Sequence, residues 1–157
     1  MVENTRKSIE VAEGVGSDYP EPFGEPCKER SNRNLARASG LSKIGAQLFL
    51  LPPGAWSSQR HWHTHEDELV YVLEGAPTLI TDEGEVMLEP GDFVGFPAGQ
   101  KNGHHIVNRG SLNAKFLTVS NQDSRDDVSY SDIDMQINGR SFGGAYTNKR
   151  GEAYPIE

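Results

Sequence analysis

The stretch RHWHTHEDELVYVLEG, from Arg60 to Gly75, holds the reading on which the fold turns. Its second half, residues 69–73, is β-branched and aromatic and stops at Glu74-Gly75, as a strand stops at a turn. Its first half places His61 and His63 two residues apart, and in a strand such residues face the same side. Glu68 lies five residues beyond His63, the wrong parity for one unbroken strand. Thr64-His65-Glu66-Asp67 must therefore bend or bulge. Glu68 then re-enters on the histidine side, with Val70 and Val72 facing the same way and Leu69, Tyr71 and Leu73 on the opposite face.

On either side the chain repeats this texture. Residues 46–51 form an apolar run that ends at Pro52-Pro53-Gly54, and residues 78–81 turn through Asp82-Glu83-Gly84 into 85–88. Asp82 and Glu83 are expected at an exposed tip, with Gly84 supplying a positive φ. Pro90-Gly91 fits the centre of a type II turn. Residues 93–96, 104–107 and 114–119 follow, separated by Pro97-Ala98-Gly99 and Asn108-Arg109-Gly110-Ser111. Nothing between these runs is long enough for a crossover helix, so a βαβ fold fails and an antiparallel sandwich or barrel remains.

The flanks are different. Residues 1–40 are polar, with no sustained period, and PEPFGEP (20–26) disfavours helix. They read as an extended N-terminal arm whose Tyr19, Phe23 and Leu35 need something to dock on. Residues 41–122 hold the barrel. Residues 123–157 open on an acidic patch (Asp123, Asp126, Asp127) and form a C-terminal tail expected to pack back through Tyr130, Ile133, Met135, Phe142 and Tyr146.

Bulk properties exclude several classes. A chain of 157 residues with 35% apolar content and mean hydropathy −0.61 suits one domain with long loops. The net charge is −8, and nine acidic residues with no Lys or Arg lie between Glu66 and Asp92. That balance speaks against nucleic acid, which needs clustered cations. No apolar run is long enough to span a bilayer, the first residues lack a secretory apolar stretch, and the single cysteine, Cys27, permits no intrachain disulfide. A cytoplasmic protein is expected, with no catalytic role for Cys27.

All five histidines fall in two clusters, His61, His63 and His65, then His104 and His105. His104, aligned with Ile106, comes from a distant strand toward His61, His63 and Glu68. Three imidazoles and a carboxylate make a borderline-soft site for Fe, Mn, Co, Ni or Zn. An octahedral ion would keep two positions open, whereas tetrahedral zinc would be closed. His105 and His65 are rival ligands, Asp67 is a rival to Glu68, and a metal-free hydrogen-bonded polar core is the plainer alternative. Trp62 faces away from the histidines and Arg60 reaches solvent or an acidic neighbour. Gln47 is placed at the barrel mouth, with Lys101 and Asn102 in the loop before His104.

Gly54-(six)-His61-x-His63-(four)-Glu68-(six)-Gly75 resembles the first cupin motif, with one residue more than usual before the first histidine. Gly91-(five)-Pro97-x-Gly99-(four)-His104-(three)-Asn108 is similar to the second, with two residues more than usual between glycine and histidine. The wording also resembles a bacterial single-domain cupin group without an assigned reaction. The resemblance implies an all-β double-stranded β-helix (a jelly-roll, or cupin, barrel), one divalent metal ion on His61, His63, Glu68 and His104, and a homodimer. The function expected is a metal-dependent enzyme acting on a small organic molecule, of dioxygenase, isomerase or decarboxylase type. The alternatives are a non-catalytic small-molecule-binding cupin with a metal anchor and an inert structural protein.

Overall fold

The computed structural model describes residues 5–139 and 144–155; Phe142 lies outside the described residues. In chain order the strands are β1 (Glu13–Val15), β2 (Ser31–Asn34), β3 (Ile44–Leu51), β4 (His61–His63), β5 (Glu68–Glu74), β6 (Thr78–Thr81) and β7 (Gly84–Met87). They continue with β8 (Phe93–Phe96), β9 (His105–Val107), β10 (Ala114–Asn121), β11 (Val128–Tyr130), β12 (Gln136–Ile137) and β13 (Tyr146–Thr147). One short helix, α1 (Leu35–Ala38), is capped by the Asn34 side chain accepting from Arg37 N–H.

One wall is a six-stranded antiparallel sheet in the order β1-β2-β3-β10-β5-β8. The facing wall consists of β13-β12-β11-β4 and β7-β6-β9. These two are stitched where His61 and His104 exchange backbone bonds of 3.2 and 2.9 Å. The fold is the all-β jelly roll expected, and strands 78–81 and 93–96 have the expected limits. Strand β9 starts one residue later than expected, with His104 held only by its isolated bridge.

Alternation builds the interior. Leu51, Val70, Val72 and Phe116 project inward from the six-stranded sheet and meet Leu79 and Ile106 from the facing wall. Each is at most 5% exposed, and burying such a side chain is worth about 1.5–3 kcal/mol. Gly75 ends β5 at φ 79, where an added Cβ would lie 2.7 Å from the Asn113 carbonyl, so only glycine fits.

The arm and the tail satisfy one another. Residues 1–40 supply β1 and β2, and β2 pairs with β3 along Ser31↔Leu50 to Asn34↔Gln47. Tyr19 and Phe23 dock on the chain's own tail, with ring centroids 5.6 Å from Tyr130 and Tyr154 respectively. Val128, Tyr130, Met135 and Ile137 form a second core there, which offers these aromatic residues burial without a partner. Leu35 opens α1 and is half-buried. Asp82 and Glu83 are exposed as expected, and Asp82 also accepts from Arg60, which holds Asp132 as well. Gly84 has φ 129.

Candidate metal centre

The bend after β4 is organised from the tail. Asp126, fully buried, accepts from His63 Nδ1–H at 2.7 Å through one oxygen. Its other oxygen takes the backbone N–H groups of His65 at 2.9 Å and Glu66 at 3.1 Å. Glu66, 1% exposed, accepts from Asp123 N–H at 3.0 Å, and Asp67 accepts from Ala98 N–H at 2.7 Å. These bonds satisfy a polar turn that burial would otherwise penalise. They also correct the strand parity, so Glu68 enters β5 on the histidine side.

The second motif reaches the same place despite its extra residues. The longer loop is spent outward: Lys101 lies 5.9 Å from the Trp62 ring centroid, and Asn102 accepts from Asp82 N–H at 2.9 Å. His104 therefore keeps the parity of Ile106 and faces inward, its ring stacked on Phe96 at 3.5 Å.

His61, Glu68 and His104 present ligand atoms within 4.8 Å of one another. His104 Nε2 is 3.5 Å from one Glu68 oxygen, and His63 Nε2 is 3.7 Å from the other. His63 also groups with Glu66 and Asp126 on its far side. The expected His61, His63, Glu68 and His104 thus surround one carboxylate. Asp67 does not join it. His65 is exposed, with Nδ1 2.8 Å from Thr64 Oγ1. His105 is buried on the opposite face of β9, where Nδ1 donates to the Ser58 carbonyl at 2.9 Å beside Trp56.

Tautomers follow from the partners. His61 Nδ1 donates to the Gln59 carbonyl at 2.8 Å and His63 Nδ1 donates to Asp126, which selects the tautomer whose Nε2 carries the lone pair when the ring is neutral. His63 Nε2 and both ring nitrogens of His104 are buried without a hydrogen-bond partner. Burial, reinforced by the neighbouring His104 and His63, pushes the His61 imidazolium well below its ordinary range, so the ring is neutral. Burial would raise the Glu68 carboxyl, yet the surrounding imidazoles, His104 foremost, bring it down to about 2. The neutral His61 ring, the unpartnered nitrogens of His63 and His104 and the Glu68 carboxylate form a donor set suited to a divalent first-row cation.

His61, Glu68 and His104 line a cavity of about 570 Å³ together with Phe49, Phe116, Asn32 and Gln47. Gln47 lines it as expected, accepting from the Asn32 amide. Cys27 is fully buried; burial pushes its thiol up to about 11, against the opposing charge of Arg30. Sequence reasoning missed Asp126, Glu66 and Arg30. The one signal for Asp126 was an acid placed just before the strand-like Val128–Tyr130.

The cupin domain family matches residues 47–120. The chain belongs to the cupin superfamily. A cupin-superfamily sugar phosphate isomerase from Silicibacter pomeroyi is 39% identical over 98% of this chain and 99% of its own, with a TM-score of 0.91. A candidate sugar phosphate isomerase structure from Acidithiobacillus ferrooxidans is 30% identical over 82% of each chain, with a TM-score of 0.72. Quercetin 2,3-dioxygenase of Bacillus subtilis is 39% identical over 46 residues, which is 29% of this chain and only 14% of that enzyme.

Proposed function

We propose that this cupin is a metal-dependent enzyme of isomerase type, acting on a small polyhydroxylated carbonyl compound such as a sugar or sugar phosphate. His61, His63, Glu68 and His104 hold one divalent ion, Fe, Mn, Ni or Zn. The observation that carries the reading is the set of orphaned imidazole nitrogens around the Glu68 carboxylate, which lines a polar cavity. The full-length similarity to the Silicibacter pomeroyi isomerase favours isomerisation over dioxygenase or decarboxylase chemistry. A bound divalent ion would supply Lewis-acid polarisation of a substrate oxygen. The chain's own residues do the rest. The Gln59 carbonyl and Asp126 fix the tautomers of His61 and His63, Phe96 holds the His104 ring flat, and Val70 and Phe116 add apolar surface to the cavity lining.

Residues 1–40 and 123–157 serve as an arm and a tail that complete the barrel of 41–122. A homodimer is proposed through the outer face of the six-stranded sheet, where Leu69 (40%), Tyr71 (40%), Leu73 (42%) and Phe93 (69%) lie exposed. A cytoplasmic location suits the free, buried thiol of Cys27. Among the described residues no helix is long and apolar enough to cross a membrane.

The test is interconversion of aldose–ketose pairs, free and phosphorylated, by protein loaded in turn with each of the four metals. Turnover of at least one pair, lost in His104→Ala, is the expected result. Stoichiometric metal with ligand binding but no turnover of any pair would replace the enzyme by the non-catalytic binding module.

A further inference from the structure

Three arginines among the described residues are half-buried: Arg30, Arg33 and Arg60. Arg33 faces Glu13 at 3.5 Å, and Arg60 is paired with Asp82 and Asp132. Arg30 has no carboxylate partner among the described residues. It follows the 3-10 turn Glu25–Cys27, and its Nε donates to the Gly16 carbonyl at 3.0 Å while Nη1 donates to the Ser57 carbonyl. Its guanidinium carbon sits 5.5 Å from the Phe49 ring centroid. Both acceptors are neutral, so hydrogen bonds orient the cation without balancing its charge.

Acids are not scarce in a chain of net charge −8, yet among the described residues none pairs with this one. Asp18 lines the same cavity but accepts from the Tyr146 hydroxyl at 3.0 Å. Arg30 itself lines the cavity, together with the neutral Asn32, Gln47, Ser57 and Ser58. A half-buried cation without a counter-ion is costly and is rarely kept without use. Its charge is felt locally: burial raises Tyr19 and Cys27, and Arg30 opposes both rises. A guanidinium has five N–H donors in a rigid fork, and with only two carbonyls held here donors remain for a planar or tetrahedral oxyanion. Being pinned in advance, the fork loses little freedom on binding.

We propose that Arg30 is the anion anchor of the cavity, receiving a phosphate ester or carboxylate on the ligand whose other end meets His61, Glu68 and His104. This rests on the proposed function only in taking this cavity as the ligand site; the metal is not required for the anion to bind. A cavity of about 570 Å³ has room for a phosphorylated or carboxylated sugar-sized molecule.

The test is calorimetric titration of the full chain, metal-stripped and metal-loaded, with ribose, ribose 5-phosphate, ribonate and inorganic phosphate. Wild-type protein is expected to bind at least one sugar oxyanion about tenfold or more tighter than ribose in both metal states. Arg30→Met should abolish that preference with ribose binding unchanged, and Arg30→Lys should restore part of it. A tighter phosphate arm identifies a phosphate ester, and a tighter ribonate arm a sugar acid. The proposal is overturned if wild-type protein binds no oxyanion or shows no preference over ribose. It is equally overturned if Arg30→Met weakens all probes in proportion, the mark of a merely structural residue. Should Arg30→Met fail to fold, Arg30→Lys decides: an undiminished preference would show that the fork is not used. An oxyanion preference that survives metal stripping beside a failed isomerase assay would sink the catalytic reading and leave Arg30 in place.

Discussion

The two faces of β5 differ by a shift of one residue and by almost everything else. Inward, Glu68 joins three imidazoles and Val70 and Val72 are at most 2% exposed. Outward, Leu69, Tyr71 and Leu73 are each at least 40% exposed, and Tyr71 sits between Leu117 on β10 and Phe93 on β8. Solvent-facing sides of antiparallel sheets are ordinarily polar, so the apolar outer row is what supports the proposed homodimer. On the proposed function one strand carries two sites, chemistry on its inner side and association on its outer. Parity keeps them apart, because a slip of one residue would exchange them.

The most damaging break of that comparison is at the inner row. Glu68→Ala and His104→Ala should cost metal affinity beyond the roughly 10–100-fold that outer hydrogen-bond partners contribute. Leu69→Ala, His65→Ala and His105→Ala should leave affinity nearly intact, although His105→Ala removes a buried bond to Ser58 and should lower the melting temperature. Competition against a chelating dye reads the affinities. Retained binding in His104→Ala with loss in His105→Ala would reverse the parity of β9. Asp126→Ala comes next in size, with about a 10–100-fold loss of affinity, since it frees the His63 ring and the backbone turn that delivers Glu68. Unchanged affinity in a folded Asp126→Ala protein would mean that the bend sets itself.

The same contrast explains what could be read beforehand. The period-2 pattern of 69–73, the turn at Pro90-Gly91 and the shared side of His61 and His63 are local, and local rules place them; Gly91 has φ 97, as a type II turn needs. The need for a bend between His63 and Glu68 was equally visible from parity. What closes that bend was not, because Asp126 lies 63 residues from His63 and its bonds are fixed by tertiary packing alone. Arg30 was hidden for a related reason: its distinguishing feature is the lack of a counter-ion among the described residues, and sequence records which acids exist, not which ones stay away. What the arm docks on was not legible either: Tyr19 and Phe23 find the tail's aromatic cluster in the same chain.

With the arm docked within the same chain, the outer row is the structural argument for assembly, and it can be tested alone. Tyr71 and Phe93 are paired across β5 and β8, and neither contributes to the buried core. Replacing both by Glu should therefore change the stability of the isolated chain only slightly, within about 0.5 kcal/mol per site as for ordinary surface changes. Across a dimer seam the same pair would put like charges into an apolar contact, at a cost no surface substitution carries. Light scattering of wild-type protein at micromolar concentration should give twice the chain mass, and Tyr71→Glu/Phe93→Glu should give the chain mass with metal affinity unchanged. A wild-type monomer would leave the apolar row without an occupant. A dimer that survives the double substitution would move the interface to another surface, such as the free edge of β1, and the two faces of β5 would no longer divide chemistry from association.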